Sequence, residues 1–117
     1  MSCRFDSRAR AAIRVYIAGP YSGGDVGKNI REAMIAWHRL RNLGFIPFCP
    51  HLSHFLHLLI PLEYEDWLLW DLEWLRVCDA VLRLPGESPG ADREVLAAND
   101  LNIPVFTTIE ALIEFAK

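Results

Sequence analysis

Four short apolar runs, rich in β-branched and aromatic residues, alternate with longer segments of helical periodicity, and this alternation constrains the fold most. The runs are 12–18 (AIRVYIA), 45–48 (FIPF), 79–84 (DAVLRL) and 103–106 (IPVF). Between the first two, Ile30, Met34, Trp37 and Leu40 recur at helical spacing from Lys28 to Leu43, and Gly44 comes next as a C-cap. Residues 50–60 read as a loop or short helix, and Pro61 fits the first position of a long helix reaching about Cys78. A further helix is predicted over Ala91–Leu101, and Thr108 caps a last one ending in Ala116-Lys117. Strands that alternate with helices imply an α/β protein. Its parallel, doubly wound sheet has four to five strands, with helices on both faces. Ligands bind such sheets beyond the carboxyl ends of the strands, where the strand order reverses. The turn-rich loops 19–27 and 85–90 both leave strand carboxyl ends, so they should face one crevice.

At 117 residues the chain is large enough for one domain, spanning 1–117, with polar residues 1–11 expected to be frayed. The net charge of −3 and the lack of a Lys/Arg run exclude a nucleic acid polymer as the expected partner. Cys3, Cys49 and Cys78 are odd in number and form no CxxC pair, so no disulfide framework is expected. No run reaches the roughly 18 apolar residues of a membrane span, and the arginine-bearing N-terminus has no apolar signal core. The expected setting is reducing and cytoplasmic, without a membrane partner.

Three residues stand out as chemistry. Pro85, Gly86, Pro89 and Gly90 force a sharp bend, and Ser88 or Gly90 can start the next helix. Glu94 then falls in the first turn, where the positive end of the helix dipole keeps a carboxylate ionised and oriented. That suits a nucleophile, or simply a stabilised helix start. Asp71 lies opposite Glu73, among Trp67, Leu68, Leu72, Trp74 and Leu75 on the side of the long helix expected to face the core. Desolvation there raises a carboxyl pKa and makes a candidate general acid. The alternative is a buried Asp that caps a loop or pairs with Arg83 or Arg93. Tyr16 shares a strand face with Arg14 and Ala18 near the strand's carboxyl end, so its hydroxyl can reach a carboxylate in the crevice or stand as a satisfied core aromatic.

The segment Tyr21–Lys28 has the small residues of an anion-cradling loop, but Asn29 stands where a Walker A motif needs Ser or Thr. His51, His54 and His57 succeed one another at steps of three and cannot share one helical face, so no metal site is expected. His51 and His54 are read as polar groups lining a pocket, and His57 as a surface residue. Trp67, Trp70 and Trp74 are read as core or subunit contact, with base stacking as the lesser option.

The motifs Tyr16-Ile-Ala-Gly-Pro-Tyr21, Asp71-Leu-Glu-Trp-Leu75, Cys78-Asp-Ala-Val81 and Ser88-Pro-Gly-Ala-Asp-Arg-Glu94 occur in this order between Val15 and about Phe106. Together they resemble the nucleoside 2-deoxyribosyltransferase superfamily, most closely its small members and the N-glycosidases that cleave 2′-deoxynucleoside 5′-monophosphates. The resemblance implies a Rossmann-like sheet, a homodimer or higher oligomer, and a small-molecule nucleoside or nucleotide as partner. It implies Glu94 as the nucleophile that forms a covalent glycosyl-enzyme, Tyr16 as the residue that orients it, and Asp71 as the group that contacts or protonates the leaving base. It implies no metal or organic cofactor. The substrate-binding set is then Gly19, Pro20, Ser22, Gly23, Ser88 and Gly90 from the two loops, with His51 and His54. Bacterial transferases carry an aspartate at the position of Ser88, whereas a serine resembles the monophosphate hydrolases, in which it contacts the 5′-phosphate. The chain also ends at Lys117, without the C-terminal extension of the transferases. Both departures favour hydrolysis over base exchange. The competing expectation is a non-catalytic nucleotide-binding or sensing module on the same fold.

Overall fold

The computed structural model describes residues 13–117. The expectation of frayed residues 1–11, and Ala12 of the first expected strand, lie outside them. Strands β1 (Arg14–Ala18), β2 (Ile46–Phe48), β3 (Ala80–Arg83) and β4 (Val105–Phe106) form one parallel sheet in the order β2-β1-β3-β4. Helix α1 (Val26–Asn42) connects β1 to β2. A 3-10 turn (Pro50–Leu52), α2 (Ser53–Leu59) and α3 (Tyr64–Leu75) lead on to β3, α4 (Pro89–Asp100) leads to β4, and α5 (Ile109–Ala116) closes the chain.

The period-two pattern of β1 explains why both sheet faces are covered. Val15 and Ile17 pack with Ala33, Ala36 and Leu40 of α1 and Leu112 of α5. Tyr16 and Ala18 point the other way, toward Leu75 of α3 and Ala91 and Ala98 of α4. Hydrogen-bonded to β2 on one side and β3 on the other, β1 is the central strand, and its residues 15–18 are wholly buried. The chain winds outward from β1 to β2 in one direction and from β3 to β4 in the other. The order therefore reverses between β1 and β3, at whose carboxyl ends a crevice must open.

The two loops at that crevice are pressed together. A Cβ on Gly19 would meet the Leu84 Cβ at 3.0 Å. Gly86, at φ +112°, faces Pro20, and a Cβ there would meet the proline ring at 2.9 Å. Any larger residue at either position would drive the loops apart, and Gly86 also occupies backbone space that L side chains rarely adopt.

Several element ends differ from expectation. Helix α1 starts at Val26 rather than Lys28, because Asp25 is its N-cap and accepts from the Lys28 N–H at 3.1 Å. Helix α3 starts at Tyr64, so Pro61 is not its first residue. Glu63 and Asp66 form a capping box that satisfies the first amides instead, and the helix ends at Leu75 rather than near Cys78. Helix α4 starts at Pro89, not Ala91, with Ser88 as its N-cap accepting from the Ala91 N–H at 3.0 Å. Pro104 keeps β4 to two residues, while Thr108 caps α5 as expected. Trp70 and Trp74 are exposed rather than core. Phe55, Leu58 and Leu59 of α2 are exposed as well. Cys49 and Cys78 are free and buried. No helix among the described residues is long and apolar enough to cross a membrane.

Candidate active site

A cleft of about 650 Å³ opens at the carboxyl ends of β1 and β3. Its walls come from both loops, from the 50–57 segment and from one face of α3. Glu94, Asp71, Gly19, Ser22, Gly23, His51, His54, Ser88 and Gly90 all line it. Pro20 is not in the wall. Its carbonyl instead accepts from His51 Nε2 at 3.0 Å, so it helps seat the histidine. Tyr16 sits beneath the cleft, wholly buried in the strand, and its hydroxyl donates to Glu94 Oε2 at 2.5 Å.

Glu94 differs from expectation in two linked ways. With α4 starting at Pro89, it falls in the second turn, and Asp92 takes the first-turn position. It is also only 6 % exposed. The helix dipole therefore does not dominate its ionisation. Burial pushes the Glu94 carboxyl up to about 7, opposed by the Tyr16 hydrogen bond and the Arg83 charge. Tyr16 is itself raised well above 10, by burial first and then by the charges of Glu94 and Asp71, so the phenol stays protonated and remains the donor. Tyr16→Phe removes that donor. Because hydrogen bonds to charged groups contribute about 1.5–3 kcal/mol, the Glu94 pKa is expected to rise by roughly one to two pH units, read by carboxyl NMR titration.

Asp71 reaches the same cleft from α3 and is half-buried. Neither arginine weighed as its partner serves it. Arg83 donates to the Leu84 and Gly86 carbonyls and pairs with Asp92 at 3.1 Å, which ties down the β3–α4 loop. Arg93 pairs with Glu65 at 2.6 Å. The Asp71 Oδ1 atom is buried with no hydrogen-bond partner among the described residues. Burial, then the Glu94 charge, pushes Asp71 up to about 8. At neutral pH the cleft thus pairs Asp71, mostly protonated, with Glu94, which a phenol holds and which ionises first, while Glu87 adds an exposed third carboxyl to the wall. This is the combination that nucleophilic displacement with acid assistance to a leaving group requires.

The remaining wall is polar and aromatic. Burial lowers the His51 pKa against the pull of the Pro20 and Gly19 carbonyls, so its ring is neutral. Tyr21 Oη lies 2.7 Å from His54 Nδ1. His57, expected at the surface, instead lines the cleft, and its Nδ1 accepts from Trp67 Nε1 at 2.8 Å. The three imidazoles face different partners, and no group of three potential metal ligands occurs among the described residues. Asn29, which rules out a Walker A motif, donates at 2.8 Å to both the Tyr21 and Gly23 carbonyls and holds the loop over the cleft. Spacing gave no sign of the roles of Tyr21, Asn29 and His57, since each depends on a contact between separate elements.

The fold and its cleft define a doubly wound α/β protein with a carboxylate pair at the strand-order switch. In architecture it is similar to a 2-deoxyribosyltransferase from the psychrotolerant bacterium Bacillus psychrosaccharolyticus, with a TM-score of 0.59 and 24% identity over 79% of this chain and 69% of that one. The chain belongs to the family described as a domain of unknown function (DUF7768), which matches residues 13–108. No curated protein matches it.

Proposed function

We propose that the chain cleaves the N-glycosidic bond of (deoxy)nucleosides or their 5′-monophosphates through a covalent glycosyl-Glu94 intermediate, with hydrolysis favoured over base transfer. One observation carries the reading: Glu94, bonded to Tyr16, shares a cleft with a second carboxyl of higher pKa, Asp71. In the first step the Glu94 carboxylate attacks the anomeric carbon and the C–N bond breaks. Its electron pair leaves with the base, which takes the Asp71 proton. Water then attacks the same carbon and gives a proton to Asp71, and the ester to Glu94 breaks, regenerating both groups. Tyr16 orients Glu94 and accepts no proton. Ser88 Oγ accepts from the Ala91 N–H, and its hydroxyl proton is left to donate to a sugar or phosphate oxygen. Asp25, whose carboxylate accepts from the Lys28 N–H at the start of α1, does not line the cleft beside Ser22 and Gly23. No step needs a metal or organic cofactor.

The test is incubation with ribo- and deoxyribonucleosides and their 5′-monophosphates, with free base read by liquid chromatography and a second base added to trap any transfer. Free base is the expected product. Retention of intact nucleotide without release would replace the enzyme by a binding module. The active form needs Glu94 ionised and Asp71 protonated, so kcat/KM should rise to about pH 7 and fall beyond about pH 8. A flat profile from about pH 5 to about pH 9 would sink the paired roles.

The reading also takes the chain as a homodimer or higher homo-oligomer, with the exposed Trp70 and Trp74 of α3 in the contact. Light scattering at micromolar concentration is expected to give at least twice the chain mass, and a monomer would refute it.

A further inference from the structure

The cleft wall on α3 carries an arrangement that the chemistry above does not use. Tyr64, Trp67, Leu68 and Asp71 line the cleft at spacings of three, four and seven residues, so one helix face runs from an aromatic start to the acid. Trp67 stands one turn from Asp71. Its indole is pinned: Nε1–H donates to His57 Nδ1 at 2.8 Å, and the two rings meet at 64° with centroids 6.0 Å apart. The Leu62 backbone N–H donates to the same nitrogen at 3.2 Å. A ring nitrogen accepting two N–H bonds carries no proton itself, so the imidazole proton sits on Nε2. With its only polar atom engaged, the indole offers the cleft nothing but apolar ring surface.

We propose that Trp67 is the platform on which the planar base of the substrate stacks, and that His57 is a positioning residue that fixes the indole plane through Nδ1. The proposal rests on the N-glycosidase reading in one respect. Asp71 as proton donor to the base places that base one helical turn from Trp67. Stacking on an aromatic side chain is strong and tolerant of base identity, and it grows with ring area, so a purine gains more than a pyrimidine.

The experiment is calorimetric titration of adenine and of cytosine into the wild type, Trp67→Phe, Trp67→Leu, His57→Asn and His57→Leu, with thermal melts alongside. Adenine is expected to bind the wild type more tightly than cytosine. Trp67→Leu should weaken adenine on the order of 10–100-fold and erase the preference, with Trp67→Phe in between. His57→Leu should weaken adenine binding, and His57→Asn should restore it, because the asparagine Oδ1 stands where Nδ1 did and accepts both N–H groups. A residue that only held α2 to α3 would not make base affinity track the acceptor. Wild-type adenine affinity in Trp67→Leu, binding in His57→Asn as weak as in His57→Leu, or no binding of either base by the wild type would overturn the proposal. Base release from nucleosides separates the two readings. Release without dependence of adenine affinity on Trp67 removes the platform alone. Adenine binding that depends on Trp67 without release removes the N-glycosidase alone.

Discussion

Glu94→Ala is expected to abolish base release, with a fall in kcat of at least roughly a thousandfold, since Glu94 is the attacking carboxylate of the proposed reaction. Glu94→Gln should be equally inactive, although it keeps the shape and an acceptor for Tyr16. Comparing the two separates chemistry from folding. Alanine leaves the buried Tyr16 hydroxyl without its acceptor, which costs about 1–3 kcal/mol, whereas glutamine does not. Acid quenching of the wild type during turnover should leave a pentosyl adduct on the peptide that contains Glu94, detected by mass spectrometry. Residual release by Glu94→Ala, together with an unmodified peptide in the wild type, would remove Glu94 as nucleophile. A binding module would behave differently again. It would hold nucleotide in both proteins and release base from neither.

The burial of Glu94 is where sequence reasoning stopped short, and the cause is a helix start. The bend over 85–90 is written in its prolines and glycines, and either Ser88 or Gly90 can cap the helix beyond it. Choosing Ser88 adds two residues ahead of Ala91 and turns Glu94 from an exposed first-turn position onto the inward face beside Tyr16. The alternating faces of β1 were legible because a central parallel strand leaves every side chain only two directions. The outward faces of Trp70 and Trp74 were not legible. Helix α3 carries Trp67, Leu68, Leu69, Trp70, Leu72, Trp74 and Leu75 on all sides, so period alone cannot say which side meets the sheet. Asp71 was legible because it falls on the opposite side of the helix from Glu73, among Leu68, Leu72 and Leu75, where a carboxyl is unusual. His57 depends on the 60–63 turn folding α2 back against α3, a contact between residues ten apart that leaves no trace in local spacing.

Asp71→Asn is expected to lower kcat about 10²–10⁴-fold for ordinary bases while stabilising the fold at alkaline pH. The two effects share one cause. Burial raises the folded-state pKa of Asp71 to about 8, above its ordinary 3.8. Between those values the folded chain keeps a proton that the unfolded chain releases. Stability from this group is therefore full below about pH 4 and is lost as pH rises through 8. Glu94, raised to about 7, slopes the same way and remains in the variant. Asparagine carries no charge to bury, so melting temperatures of variant and wild type should lie closest near pH 4. They should separate by pH 9, with the variant ahead by on the order of 2 kcal/mol after allowing for solvent screening of a half-buried group. A variant that is less stable at both pH values would mean that Asp71 serves the fold and not the reaction. The chemical role has its own test, because a general acid matters only when the leaving group needs a proton. An N7-methylated guanine nucleoside already carries the positive charge that protonation would supply, and its base departs neutral. Asp71→Asn should therefore release N7-methylguanine at close to the wild-type rate while guanine release collapses. An equal loss on both substrates would place Asp71 in binding rather than in proton transfer.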